Sequence, residues 1–190
     1  MTRRLEQLPL LSTERLELRP VTSDDIDGLI ALNADPLVMA YILGRAATPS
    51  ETRAEWQRRL TAQSNPALGL GYWLGLEAGA FVGWWSASWF EPRPEISGIG
   101  YRLHASAWGR GLATEGARAM IAQAFTAASV LSVYASTMAV NEGSRRVLEK
   151  VGMVHTSTWT EQWDEPIPGS EYGEVGYELH REAWERLGMP

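Results

Sequence analysis

The chain has 190 residues, 45% of them hydrophobic and 21% charged, which is enough apolar material for one domain, 1–190, with a substantial core. Its net charge of -6 argues against nucleic acid as the main partner, since binding phosphate backbones favours a basic face. The lack of cysteine excludes disulfides, thiolate metal sites and any route that parks an acyl group on an enzyme thiol.

In chain order, TERLELRPV alternates Leu16 and Leu18 with charged residues as a half-buried strand does, and Pro20 ends it. Ser23 is placed to cap a helix whose first turn carries Asp24 and Asp25 and whose apolar face is Ile26, Leu29 and Ile30. A second helix opens at TPSETRAEWQRRL, with Thr48 as N-cap, Pro49 in the first helical position and Glu51 completing a capping box. GYWLGLEAGAFVGWWSASWF reads as a β-hairpin around EAGA. ISGIGYRLH is a further strand, in which Gly98 and Gly100 admit a bulge or a close backbone approach.

Ala113, Ala117, Met120, Ile121, Ala124 and Ala128 then recur at three- and four-residue steps, the spacing of a helix packed on a sheet. LSVYAST alternates as a buried strand. Asn141 can cap the next helix, which shares Ser144, Val147, Leu148 and Val151 on one face and stops at Gly152. MVHTSTWTEQW and EVGYELH read as two strands joined by the loop EPIPGSEYG. The predicted class is α/β, helices flanking a mixed sheet. No apolar run approaches the roughly 18 residues of a membrane span, no signal-peptide core is present, and the expectation is a cytoplasmic protein with no membrane partner. His104, His155 and His180 lack the spacing of a helical zinc site, so no metal is expected.

AWGRGLATEGAR, residues 107–118, is the most informative turn. It fails the dinucleotide pattern GxGxxG at Thr114, and it fails the Walker pattern because Ala117 and Arg118 follow Gly116. What remains is a strand, a short loop and GRGLAT opening a long helix, which aims unpaired N–H groups and the positive helix end at one point, as a pyrophosphate requires. Gly109 and Gly111 allow left-handed backbone, Arg110 adds a cation and Thr114 a hydroxyl. A plain glycine-rich strand-to-helix turn would look the same, and these residues alone leave both readings open.

IGYRLHASAWGRGLATEGARAMIAQAF, NEGSRRVLEKVGM and GYELHREAW resemble the GNAT superfamily of acyl-CoA-dependent N-acetyltransferases, and within it the RimJ/RimL-like branch of ribosomal-protein N-terminal acetyltransferases. TERLELRPVTSDDIDGL and NADPLVMAYI resemble the start of the same branch. The resemblance implies the GNAT fold, an α+β arrangement with one mixed, mostly antiparallel twisted sheet and a splayed central strand pair that holds the CoA arm. It also implies acetyl-CoA as cofactor, an amine as substrate and, for this branch, a homodimer. The family's phosphate loop, Q/R-x-x-G-x-G/A, falls on Trp108, Gly109, Arg110, Gly111, Leu112 and Ala113, with Trp108 departing from it. The resemblance places the CoA pyrophosphate on this loop and Thr114, the pantetheine arm along Tyr101, Arg102 and Leu103, and its amides against Asn141 and Ser144.

The tyrosine that many members use to protonate the departing sulfur is replaced by Leu148, and Ser144 is the candidate thiolate stabiliser in its stead. The glutamate often found in the preceding strand is replaced by Gly98. Glu95 is the candidate base, with Glu161, Asp164 and His104 as further possibilities. Trp84, Trp85, Trp89, Trp159 and Trp163 fall in segments expected to wall the acceptor cleft; Trp84 and Trp85 point to opposite faces, so one can stack on a cationic amine. The acceptor stays open among a protein N-terminus, a polyamine, an amino acid and an aminoglycoside-like antibiotic. A CoA-binding sensory module without catalysis, and a transferase using another acyl-CoA such as succinyl-CoA, are the alternatives.

Overall fold

The computed structural model describes residues 7–89, 92–160 and 165–188. In chain order the elements are β1 (Leu11–Ser12), β2 (Leu16–Pro20), α1 (Ile26–Asn33), α2 (Pro49–Ala62), β3 (Gly71–Glu77), β4 (Ala80–Trp89), β5 (Ile96–Leu103), α3 (Leu112–Thr126), β6 (Ser132–Met138), α4 (Glu142–Lys150), β7 (Val154–Trp159), β8 (Glu174–His180) and α5 (Arg181–Leu187). The strands form one sheet in the order β1-β2-β3-β4-β5-β6-β8-β7. Every pairing is antiparallel except β5 with β6. This is the expected mixed, mostly antiparallel sheet flanked by helices. Among the described residues no helix is long and apolar enough to cross a membrane.

Local chemistry explains the boundaries. At α2 the Thr48 hydroxyl accepts from the Glu51 N–H at 3.2 Å, and the Glu51 carboxylate accepts from the Thr48 N–H at 2.7 Å. Ahead of α1 the cap is Thr22, not Ser23: Thr22 is the last extended residue, its N–H donates to Asp25 at 2.8 Å, and it caps the 3₁₀ turn of Ser23 to Asp25 that runs into the helix, whose own N-cap is Asp25. Of the two readings for the β5 glycines the bulge is not realised, since the β4–β5 register runs unbroken from Gly83 to Trp89; a bulge lies instead between β3 and β4, where Val82 is the extra residue opposite Gly75 and Leu76. Gly100 does mark a close approach, because a Cβ there would lie 2.9 Å from the Ser86 hydroxyl. Helix α5 was not legible in the sequence. It has no side-chain cap, and is held by tertiary contacts: Trp184 is buried, and the Arg181 guanidinium donates to the carbonyls of Phe125, Ala127 and Val130.

Alternation in β4 sends Trp85 and Ala87 into the larger core, with Ile99, Leu103, Val133 and Tyr177 under α3 residues Ala117, Met120 and Ile121. Trp84 points the other way, into a cluster with Tyr72, Leu74, α1 residues Leu29 and Leu32, and Trp56 of α2. Helix α3 lies directly on Trp85: a Cβ at Gly116 would fall 2.4 Å from the indole, so only glycine permits this approach. The Trp85 Nε1–H donates to the Ala113 carbonyl at 3.2 Å, which locks the first turn of α3 to the sheet.

Behind Trp84 lies a buried ion network. Glu55 of α2 pairs with Arg59 at 2.8 Å and with Arg102 of β5 at 3.1 Å, and Arg102 also donates to Asn33 at 2.6 Å. Burial opposes ionisation of Glu55, but the attraction and hydrogen bonds of Arg102 and Arg59 outweigh it and hold its pKa at about 2, against 4.5 for a free glutamate. A depressed carboxylate pKa contributes stability that is full above 4.5 and is lost as pH falls from 4.5 through about 2. Glu55→Gln leaves the buried Arg102 and half-buried Arg59 guanidinium groups without a counter-charge, and should cost about 3 kcal/mol in denaturant unfolding near neutral pH. The acid-side loss of stability over that window should shrink in the variant. An unchanged unfolding midpoint would show that the network contributes nothing net.

Candidate active site

Strands β5 and β6 pair only from Ile96, Ser97 and Gly98 to Ser132, Val133 and Tyr134, and then part. Beyond that point β5 stays bonded to β4 and β6 to β8, so the facing edges, Ile99 to Leu103 and Ala135 to Met138, carry no strand partner. An unpaired edge inside a sheet can receive an extended chain by backbone hydrogen bonding.

A cavity of about 320 Å³ occupies the divergence, bounded by Trp84, Tyr101, Asn141, Ser144, Leu148 and Glu174 among others. A second, of about 180 Å³, is bounded by Ser86, Ser88, Gly98, Tyr134 and Ser136. The two share Ile99, Gly100, Ala135 and Ser136. Because the first touches both Trp84 on one face and Leu148 on the other, the opening connects the two faces of the sheet.

The turn after β5 leads to the glycine loop. Gly109 and Gly111 both adopt left-handed backbone, φ +71° and +84°, and Gly111 is the N-cap of α3 without a side-chain cap. The first helical ring is Glu115 N–H to Gly111 O at 3.0 Å, so the N–H groups of Leu112, Ala113 and Thr114 stand ahead of the ladder. A Cβ on Gly109 would meet nothing within 4 Å, which leaves the loop surface open. Donors, open space and the positive end of a 15-residue helix fit a diphosphate. The Leu112 side chain is buried in the core, so only its backbone faces this site. Arg110 is ion-paired with Glu77 of β3 at 2.8 Å. Trp108, which stands where the family pattern has Gln or Arg, donates its indole N–H to the Leu103 carbonyl at 3.0 Å and so closes the turn onto the end of β5.

On the opposite wall, Asn141 caps α4 by accepting the Ser144 N–H at 3.1 Å. The Tyr101 hydroxyl lies 3.0 Å from the Ser144 hydroxyl and 3.2 Å from the Ser144 carbonyl, and its one proton can serve either acceptor. Burial pushes the Tyr101 phenol above its usual pKa, so it is protonated at neutral pH.

Several candidates lie elsewhere. Glu95 precedes β5 at the paired end, is half-buried and is bonded to Arg93 at 2.8 Å; strand direction carries it away from the divergence. Trp85 is sealed in the core, not the cleft. The Arg102 side chain points at Glu55 and Asn33, leaving only its backbone on the β5 edge. Trp159 ends β7, partly buried, and His104 packs edge-on against Phe81; neither bounds the cavity. Glu161, Asp164 and Trp163 lie outside the described residues. Trp84 does bound it, but its ring already neighbours the guanidinium groups of Arg59 and Arg102 at 4.7 and 5.3 Å, which takes the place of stacking on an amine. Its buried Nε1–H has no acceptor among the described residues, a donor left for a bound molecule. Glu174, missed in the sequence, is the one carboxylate among the described residues that bounds the larger cavity, and its charge acts on the Tyr134 phenol in the smaller one.

The model of the GNAT acetyltransferase domain matches residues 15–154. The chain belongs to the GNAT acetyltransferase family. It is 35% identical, over 96% of its length and 80% of the relative's, to the FsC-acetyl coenzyme A-N(2)-transacetylase of Aspergillus fumigatus. Among solved structures it resembles the RimL ribosomal L7/L12 alpha-N-protein acetyltransferase in complex with coenzyme A, at TM-score 0.71 and 19% identity over 93% of this chain and 98% of that one. Aminoglycoside acetyltransferase AAC(6')-Ib in complex with coenzyme A is as similar, at TM-score 0.71 and 21% identity over 91% of this chain and 99% of that one. These two share the fold and do not single out the RimJ/RimL-like branch. As a GNAT acetyltransferase the chain is an enzyme, and acetyl-CoA is its acyl donor.

Proposed function

We propose that this GNAT acetyltransferase acetylates a primary amine of a small molecule, by direct attack on acetyl-CoA within a ternary complex. The opening that joins the two faces of the sheet carries this reading, since donor and acceptor can enter from opposite sides and meet at Ile99, Gly100, Ala135 and Ser136. Kinship with an N(2)-transacetylase over nearly the whole chain favours an amine of that kind over a protein N-terminus. The RimJ/RimL-like look of TERLELRPV is then kinship of scaffold, not of acceptor.

In this reading the glycine loop, Leu112, Ala113 and Thr114 hold the pyrophosphate through backbone N–H groups, and the free edge of Tyr101 to Leu103 pairs with the pantetheine amides near Asn141. Glu174 takes a proton from the acceptor ammonium, directly or through one water, so that the neutral amine can attack. The C–N bond forms, the C–S bond breaks, and the nitrogen's second proton passes to the departing sulfur, which the Ser144 hydroxyl steadies by a hydrogen bond while the Tyr101 hydroxyl, 3.0 Å away, donates to the Ser144 oxygen. The buried Trp84 N–H is the further donor on the acceptor side.

Two measurements test this. Incubation with acetyl-CoA and a panel of small-molecule α-amines, polyamines, aminoglycosides and peptides should add one acetyl group, read by mass, to a small-molecule α-amine first; exclusive labelling of peptide N-termini would reverse the acceptor assignment. Ser144→Ala should lower kcat about tenfold with a smaller change in the acetyl-CoA KM. Wild-type kcat in that variant would leave Ser144 with its place in the α4 cap alone.

A further inference from the structure

The β1–β2 turn reaches across the sheet to the start of α3. Glu115, in the first turn of that helix, accepts from the Thr13 hydroxyl at 2.5 Å, from the Arg15 N–H at 2.8 Å and from Arg15 Nε at 2.7 Å. The Arg15 guanidinium also donates through Nη1 to the Arg110 carbonyl at 2.8 Å, and its Nη2 lies 3.4 Å from where a Gly111 Cβ would be. One side chain therefore holds both the loop and the helix it opens.

We propose that Arg15 is a positioning residue for the CoA pyrophosphate site, acting through the Arg110–Gly111 peptide and through Glu115. In a planar trans peptide the C=O and the next N–H point in opposite directions. Tying the Arg110 oxygen to Arg15 therefore aims the Gly111 N–H away from Arg15, in a loop whose two left-handed glycines would otherwise let that peptide turn over. The second effect is electrostatic. Glu115 places a negative charge in the turn where the diphosphate must bind; burial pushes its pKa up, but the hydrogen bonds from Thr13 and Arg15 outweigh this and keep it ionised. Arg15 cancels that charge, so the N-terminal field of α3 is left for the ligand. The segment that carries this arginine lies about 100 residues from the loop, and neither the glycine pattern nor the family's loop form points to it.

The inference rests on CoA binding, not on the choice of amine, and its first readout needs no acceptor. In calorimetric titration with CoA, Arg15→Ala should bind about tenfold or more weakly than wild type. Arg15→Lys should recover part of the loss, because an ammonium restores the charge beside Glu115 but not the two-way fork. Adding Glu115→Gln to Arg15→Ala should also regain affinity, by removing the uncancelled carboxylate. With a suitable amine, kcat/KM for acetyl-pantetheine, a donor without the diphosphate, should fall far less than kcat/KM for acetyl-CoA. Wild-type CoA affinity in a folded Arg15→Ala protein would overturn the proposal. So would an equal loss with both donors, which marks general damage to the fold.

Discussion

Gly111→Glu is expected to weaken CoA binding by about a hundredfold or more while leaving a folded protein. Three effects act together at this position. Its φ of +84° lies in the left-handed region, where a side chain costs about 1–2 kcal/mol. The new carboxylate would stand at the N-cap of α3, among the N–H groups of Leu112, Ala113 and Thr114, and would compete for the donors that a diphosphate needs. It would also lie beside the Arg15 guanidinium, 3.4 Å from the new Cβ, and would draw that cation away from Glu115. Gly111→Ala carries the backbone cost without the charge, so comparing the two separates strain from electrostatics. Both variants should show a cooperative thermal transition, because a Cβ at Gly111 meets only the end of the exposed Arg15 side chain and not the core. CoA affinity in Gly111→Glu equal to that of wild type, by calorimetry, would remove the pyrophosphate from this loop.

Glu174→Gln is expected to lower kcat/KM for the amine about a hundredfold and to shift the acidic limb of its pH profile upward to the pKa of the free amine. The carboxylate stands at the first residue of β8, opposite Met138 of β6 and Trp159 of β7, and is the one acid among the described residues that bound the larger cavity. Glutamine keeps the shape and one oxygen acceptor but cannot take a proton, so the loss should be greatest below the pKa of the amine, where the ammonium must be deprotonated. CoA affinity should stay close to wild type, because the pyrophosphate donors belong to a different part of the cleft. An acidic limb left at its wild-type position in Glu174→Gln would assign the proton to another group.

Much of the fold was legible because it follows from rules that act over a few residues. Thr48, Pro49 and Glu51 announce α2, and the spacing of Ala113, Ala117, Met120 and Ile121 announces α3, because capping and helical periodicity are properties of neighbours in sequence. The misplaced cap ahead of α1 has the same local origin: Thr22 and Ser23 are both competent caps, and only the extended backbone of Thr22 makes it the cap of the 3₁₀ turn that enters the helix at Asp25. Helix α5 escaped notice because its anchors, Trp184 against Phe125 and Arg181 against three carbonyls, are supplied by distant parts of the chain.

The site divides along the same line. By itself the sequence determined the glycine loop, the asparagine cap of α4 and the serine one turn in, since each is a short segment whose backbone geometry its own residues impose. Only the tertiary structure decided that Trp85 is sealed under Gly116 while Trp84 bounds the cleft, that Glu95 falls at the closed end of the diverging strands and Glu174 at the open one, and that Arg15 reaches Arg110 and Glu115. Those outcomes depend on strand register and on which faces meet, and they are set by packing between segments that share no local rule.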